Sequence, residues 1–286
     1  MRVAQAWRRW LATPLGNYLR DWEQAQLDAA VVDVFGYHAV QLDAPELHGL
    51  QANRMPHRWY LRSWAEQDDA IATLPLAACE LVAEGVALPF EASSLDLVVM
   101  PHTLELCADP HATLREVERV LVPEGHVVIT GLNPVSLWGW HQRRSVLYKR
   151  LGWRDTVHEG LGTLIAYWRL RDWLRLLGFE VQVSRFGCWR PAVQNPRWLA
   201  RMAWLDRWGA RWWPILGGAY MVVAVKRVPA GRMLERAWKK APVRVGAALP
   251  AAQRHHRVEP HISSPAVQPH SEFTAQAKRK SFFGSR

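Results

Sequence analysis

Residues 81–134 read LVAEGVALPFEASSLDLVVMPHTLELCADPHATLREVERVLVPEGHVVITGLNP. Leu81 to Glu84 is a short apolar run ending on a carboxylate. Leu95 to Met100 is a continuous apolar run, as expected of a strand buried on both faces. Between them, Pro89 lacks an amide donor and biases Leu88 away from helix, so neither strand continues through Ala87-Leu88-Pro89-Phe90. Asp109 is a good N-cap acceptor and Pro110 occupies a first helical position where no amide is missed. Leu114, Val117, Val120 and Leu121 then fall on one helical face, with Arg115, Glu116, Glu118 and Arg119 on the other. Pro123-Glu124-Gly125 stops the helix, and His126 to Leu132 supplies the next buried strand before Asn133-Pro134. A strand, a crossover helix and a strand are one unit of a parallel sheet.

The order LPF, then SxDLV, then DPxxxLREVxRVLxPxG and an apolar strand resembles the second half of class I S-adenosylmethionine-dependent methyltransferases of type 11. That resemblance implies a Rossmann-like α/β fold: a seven-stranded, mostly parallel sheet with an antiparallel last strand and helices on both faces. It also implies S-adenosyl-L-methionine as cofactor and a small-molecule methyl acceptor.

Composition sets the limits. A chain of 286 residues, 49% hydrophobic, is long enough to bury one full α/β core. Cys79, Cys107 and Cys188 are far apart, with neither a CxxC pair nor a nearby histidine set, and read as reduced residues of a cytoplasmic protein. No metal site is expected. No apolar run approaches the ~20 residues of a membrane span, and Met1 to Leu11 alternates Arg and Trp rather than forming a signal-peptide core. The net charge of +10 is local: residues 228–286 hold 11 Lys or Arg against 3 acids, leaving 25 against 23 in residues 1–227. The sequence therefore divides into a helical cap over 1–29, a methyltransferase-like domain over 30–227 and a basic, disordered tail over 228–286. The tail's scattered prolines and scarce apolar residues cannot offset the cost of ordering it. Nucleic acid is expected to be contacted, if at all, only through this tail; its histidines carry no metal-ligand spacing.

Thr13-Pro14 is a helix start, and Leu15, Tyr18, Leu19, Trp22 and Leu27 form an apolar stripe. Such a helix either covers the cofactor or substrate mouth or simply packs. Ala30 to Phe35 is the expected first strand. The resemblance implies an acid and then glycines at every second position in the next loop, where backbone approaches the cofactor. Here the chain reads Asp33-Val34-Phe35-Gly36-Tyr37-His38-Ala39, so Asp33, Gly36 and Tyr37 are the expected cofactor contacts, with Gly36 alone admitting it. Trp59 to Leu61 is the second-strand candidate, ended by Arg62 and Ser63. Glu66, Asp68 and Asp69 either reach back to the ribose or begin a solvated helix.

At later strand ends the resemblance assigns Glu84, with Gly85 and Val86, to the adenine edge, because Glu84 stands four residues before LPF and a carboxylate suits an amino donor. By the register of Ser-x-Asp-Leu-Val, Glu105 sits near a position where relatives place a histidine facing the transferred methyl. His102 and Glu105 are the catalytic candidates, as a proton-accepting or substrate-orienting pair or as a structural hydrogen bond. Asn133 either holds a substrate polar group or begins the turn into Ser136. Leu137-Trp138-Gly139-Trp140 opens a basic, aromatic insertion to Arg154 that reads as a substrate lid, with Trp138 as its substrate contact.

Tyr167 to Leu177 is a helix stopped by Gly178, and Phe179 to Phe186 and Tyr220 to Arg227 match the last two strands. Their long connection interleaves Trp198, Trp204, Trp208, Trp212 and Trp213 with Arg197, Arg201, Arg207 and Arg211. Trp204, Trp208 and Trp212 recur every four residues, which predicts one buried face packed over the sheet. The same composition suits base stacking, a membrane surface or closure of a hydrophobic substrate pocket. An enzyme transferring a methyl group to a hydrophobic or aromatic acceptor is one function class; a noncatalytic, degenerate fold used as a binding or regulatory module is the other. Neither the acceptor nor the oligomeric state is written in the sequence.

Overall fold

Leu95 to Pro101 and Leu121 to Leu132 lie side by side at the middle of the sheet because their apolar runs can be buried on both faces. We describe the protein from a computed structural model, over residues 2–63, 79–141 and 163–227. It divides into two units, Met1–Arg232 and Met233–Arg286, and all of the second, like the tail expected from residue 228, lies outside the described residues. In chain order the first unit contains α1 (Arg2–Leu11), α2 (Pro14–Val31), β1 (His38–Leu42), β2 (His57–Arg62), β3 (Cys79–Val82), β4 (Leu95–Pro101), α3 (Thr103–Leu106), α4 (Pro110–Val120), β5 (Leu121–Leu132), α5 (Tyr167–Leu176), β6 (Phe179–Gly187), α6 (Pro196–Arg201), α7 (Trp204–Trp212), a 3-10 turn at Pro214–Leu216, and β7 (Ala219–Lys226). The strand order is β3-β2-β1-β4-β5-β7-β6, with β7 alone antiparallel to its neighbours. This is the expected seven-stranded sheet with its antiparallel last strand.

Alternation along β4 divides the core. Val98 and Met100 pack with Leu114, Val117 and Val120 of α4 and with Leu170 and Leu174 of α5. Leu97 and Val99 face the other layer, with Leu27 and Val31 of α2. A third apolar cluster, containing Trp7, Trp10, Leu15, Leu19, Leu132 and Trp138, joins α1 and α2 to the carboxyl end of β5. The two N-terminal helices thus cap the edge where parallel sheets bind their ligands. Thr13 caps α2 by accepting from the Gly16 amide at 3.2 Å, and Asp109 caps α4 by accepting from His111 and Ala112 at 2.9 and 3.0 Å.

Two expectations need correction. The first strand is His38–Leu42, not Ala30 to Phe35. Val31 closes the last turn of α2, one helical repeat after the buried Leu27, and short apolar runs fit helix and strand alike. The tryptophans at 204, 208 and 212 do not face the sheet: they are 52, 57 and 63% exposed, and the residue of α7 that is buried is Gly209.

Candidate functional site

The strand order reverses between β1 and β4, opening a crevice at their carboxyl ends. The loop leaving β1 is latched from beneath by Gln41. Its buried Nε2 donates to the carbonyls of Asp43, Ala44 and Leu47 at 3.3, 3.2 and 2.7 Å, and its Oε1 accepts from the Gly49 amide at 2.8 Å. Counted from Gln41, every second position carries Asp43, Pro45 and Leu47 where the type 11 pattern has glycine. Asp43 and Ala44 nevertheless take left-handed backbone angles, φ 52° and 46°, the region that glycine enters without strain. The turn of a glycine loop is kept; its bare surface is not.

Asp33, Gly36 and Tyr37 are displaced from this loop by the shift of the first strand. They precede β1 and lie at its amino end, where the Tyr37 amide donates to Asp96 Oδ2 at 2.8 Å and a Cβ on Gly36 would meet Asp96 Cβ at 2.4 Å. They are corrected from cofactor contacts to a strand-entry turn.

The structure brings His102 and Glu105 together at the end of β4, with His102 at φ 53°. His102 Nδ1 lies 2.8 Å from Glu105 Oε2, and Nε2 lies 2.7 Å from Glu23 Oε1. Glu105 Oε1 also accepts from the Leu132 amide at 2.6 Å. Burial would lower the imidazole pKa, but the Glu23 and Glu105 carboxylates outweigh it and push it up to about 10. His102 is therefore charged at neutral pH and donates from both nitrogens. Burial raises the Glu105 pKa against the pull of His102. Trp7 of α1 closes the cluster, with its ring centroid 4.4 Å from that of His102. Glu23 was missed in the sequence. Its signal was a carboxylate inside an apolar stripe, four residues from both Leu19 and Leu27.

Glu84 is exposed and, with Gly85 and Val86, follows β3 at the carboxyl edge. At the end of β2 the buried Arg62 pairs with Glu80 of β3, so a guanidinium stands where the resemblance implies a ribose-binding acid. Glu66, Asp68 and Asp69 lie outside the described residues, as does the expected lid from residue 142 onward. Asn133 and Trp138 are buried and internally bonded. Asn133 Nδ2 donates to the carbonyls of Ile215 and Gly217 at 2.6 and 3.0 Å, its Oδ1 accepts from the Val135 amide, and Trp138 Nε1 donates to the Arg190 carbonyl at 2.7 Å. Both side chains hold the 214–217 turn and the 188–190 segment against β5, and Asn133 starts the turn into Ser136, the second of its two expected roles. Among the described residues no group of His, Cys, Asp or Glu could hold a metal ion, and no helix is long and apolar enough to cross a membrane.

S-adenosylmethionine is a cation carrying an ammonium and a sulfonium, so its fit can be tested on buried acceptors. Glu23 Oε2 and Glu46 Oε2 are buried with no hydrogen-bond partner among the described residues. Glu46 lies in the loop after β1, and Glu23 lies against the end of β4. Each carboxylate already holds one cation through Oε1, His102 on Glu23 and Arg8 on Glu46 at 3.1 Å, and the buried Oε2 that each leaves without a donor suits a second, ligand-borne one. With the turn at Asp43-Ala44 and the exposed Glu84, they fit the cofactor; Arg62 is the departure.

A family model described as a methyltransferase domain, type 11, matches residues 61–129. The chain is 31% identical over 180 residues to the uncharacterized protein YafS of Escherichia coli, covering 62% of this chain and 67% of that one. It is 29% identical over 182 residues to the biotin biosynthesis bifunctional protein BioHC of Saccharophagus degradans, covering 62% of this chain but 31% of that protein. It is 37% identical over 73 residues, 25% of this chain and 32% of the other, to a demethylmenaquinone methyltransferase of Chlamydia pneumoniae. The chain thus spans about a third of the length of these last two relatives. Among solved structures, a chain of the Haloferax volcanii complex of the Trm112 methyltransferase activator with a methyltransferase superposes with a TM-score of 0.54 at 19% identity, covering 79% of this chain and 98% of that one. A SAM-dependent methyltransferase from Archaeoglobus fulgidus gives 0.50 at 16% identity, covering 72% and 94%. At these identities both show the fold.

Proposed function

We propose, from the premise that the chain belongs to the class I S-adenosylmethionine-dependent methyltransferases of type 11, that it transfers a methyl group to a hydrophobic or aromatic small-molecule acceptor at the carboxyl edge of its sheet. The observation that carries this reading is the pair of unpartnered buried acceptors, Glu23 Oε2 and Glu46 Oε2, at a crevice suited to a cationic cofactor.

When bound, the cofactor supplies a methyl group already activated by the sulfonium, which leaves alignment as the main demand on the protein. Glu84 would accept from the adenine amino group, and Glu46, with Oε1 on Arg8, would face the ammonium through Oε2. Gly85 and Val86 would line the adenine edge by backbone. His102 and Glu105 serve as an orienting pair: both imidazolium N–H groups are donated, so His102 is not free to take a proton. Glu23, held by His102 through one oxygen, keeps the other to receive the acceptor's proton or balance the cation. The free thiols of Cys79, Cys107 and Cys188 support a reducing, cytoplasmic setting.

The second reading, a noncatalytic module, is favoured by Asp43, Pro45 and Leu47 at the glycine positions and by the Arg62–Glu80 pair. Calorimetric titration with S-adenosylmethionine separates the two. Micromolar binding that weakens by roughly tenfold in Glu84→Ala, the loss of about one charge-assisted hydrogen bond, is the expected result. No heat of binding to folded wild type and to folded Trp7→Ala, in which the N-terminal cap is released, would overturn the enzymatic reading.

A further inference from the structure

The excursion between β6 and β7 carries a surface that the methyl-transfer reading does not use. Trp198, Trp204, Trp208, Trp212, Trp213 and the Ile215-Leu216 tip are all exposed, a contiguous run of large apolar side chains of the kind that marks an interaction site. On α7 the positions 204, 207, 208, 211 and 212 share one face, so Trp204, Trp208 and Trp212 are interleaved with Arg207 and Arg211. Arg197 and Arg201 extend the cationic set onto α6, the Arg201 guanidinium lying 6.0 Å from the centre of the Trp198 ring.

The acid of this segment is turned the other way. Asp206 accepts from the Tyr18 hydroxyl and, at 2.9 Å, from Arg190 Nε, so its charge is spent on α2 and on the segment after β6. Arg197, Arg201, Arg207 and Arg211 have no carboxylate partner among the described residues. The helix is held in this orientation by close packing of its inner side, where a Cβ on Gly209 would meet Trp189 Cγ at 2.2 Å. The outer face is therefore aromatic and purely cationic, and it is fixed that way by the inner one.

We propose that α6, α7 and the Pro214–Leu216 turn form a docking surface for an anionic lipid bilayer. Indole rings favour the boundary between headgroups and acyl chains, where an apolar body and a polar N–H are both accommodated. Arginines beside them reach lipid phosphates while their stems lie along the apolar layer. A second copy of the chain is a poor occupant, because face-to-face docking would set arginine against arginine. The surface stands on its own geometry and does not depend on which reading of the cofactor site holds.

Full-length protein is sedimented with sucrose-loaded vesicles of phosphatidylcholine containing about 30 mol% phosphatidylglycerol, and with vesicles of phosphatidylcholine alone. Binding is expected with the anionic vesicles. It should fall by roughly tenfold or more in Trp208→Ala/Trp212→Ala and in Arg207→Glu/Arg211→Glu, with unfolding midpoints unchanged because all four side chains are exposed. Wild-type protein that stays in the supernatant overturns the proposal. So does binding equal in wild type and both variants, which assigns lipid contact to residues 228–286. Loss in the variants of binding to a single-stranded homopolymeric RNA, with no vesicle binding at any stage, assigns the surface to nucleic acid instead.

Discussion

Replacing His102 with glutamine removes a charge from between two buried carboxylates, and its cost should depend on pH in a direction the geometry fixes. His102 and Glu23 are fully buried, Glu105 nearly so, and the imidazolium is the cation that both carboxylates share. Raising the imidazole pKa from 6.5 to about 10 is worth at most about 5 kcal/mol at 1.36 kcal/mol per unit. The whole trio gains less than that over an apolar cluster, because three groups were taken from water to build it. Removing one member alone leaves the others unpaired and should cost ~3–5 kcal/mol. The sign is that of a raised pKa: the contribution is complete below pH 6.5 and is lost as pH rises through 10. Urea unfolding of wild type and His102→Gln at pH 6.5, 8 and 10.5 would measure it. At a slope of ~2–3 kcal/mol per molar, the midpoints should differ by roughly 1–2 M at pH 6.5. The gap should shrink to less than half of that at pH 10.5. Lysines and tyrosines titrating in both proteins cancel in the difference. A gap independent of pH, or titration near 6.5 of the imidazole carbon resonance that is present in wild type and missing from His102→Gln, would refute the charged-histidine assignment.

Two further substitutions probe the scaffold of the site. Gln41→Glu replaces an amide that donates to three carbonyls by a carboxylate that repels them, and should cost ~2–4 kcal/mol in thermal unfolding while increasing hydrogen exchange at Asp43 to Gly49; an unchanged midpoint would show that the latch contributes nothing. Gly187→Ala puts a Cβ 2.0 Å from Trp22 Cε2 and should push α2 from β6 at ~1–3 kcal/mol, read by the same melt, whereas a neutral result would mean that α2 shifts freely.

What could be read from the chain before its structure follows the range of the interactions. The β4–α4–β5 unit was legible because each of its signals is local: the apolar run, the cap at Asp109, the stripe through Leu114 and Val117, and the break at Pro123. The pairing of His102 with Glu105 was legible for the same reason, at three residues' separation. β1 was not, because His38-Ala-Val-Gln-Leu42 is short and its fully buried Gln41 belongs to a latch formed with residues up to eight positions on. The apolar Val31-Val32 drew the strand assignment instead, although it ends a helix. Glu23 meets His102 from 79 residues away, and only its position on the apolar stripe of α2 marked it. The exposed tryptophans misled because a four-residue spacing gives one face but does not say which way that face points. The small Gly209, packed on Trp189, decides it.

The cap over the crevice changes how any cofactor titration must be interpreted. α1 touches the site through Trp7, which is buried on His102, and through Arg8, whose Nε lies 3.1 Å from Glu46 Oε1. α2 contributes Glu23 but is anchored by Leu15, Leu19 and Leu27, and the end of α1 is anchored by the buried Trp10 and Leu11, so the part of α1 up to Arg8 is what can leave. Exposing the Trp7 ring costs about 2–3 kcal/mol and parting a partly exposed ion pair under ~1 kcal/mol. Opening at about 3 kcal/mol puts well under ~1% of molecules in the open form and weakens an intrinsic affinity on the order of 100-fold. A sound cradle behind a closed cap and a defective cradle would then both give weak binding in wild type. Trp7→Ala distinguishes them, because it removes most of the closing energy and leaves Gln41, Glu84 and the loop after β1 untouched. If the cradle is sound, affinity for S-adenosylmethionine should rise by roughly 10- to 100-fold in that variant, since each 1.4 kcal/mol is tenfold. If Asp43, Pro45 and Leu47 have closed the cradle itself, releasing α1 changes nothing, and the fold serves as the noncatalytic module.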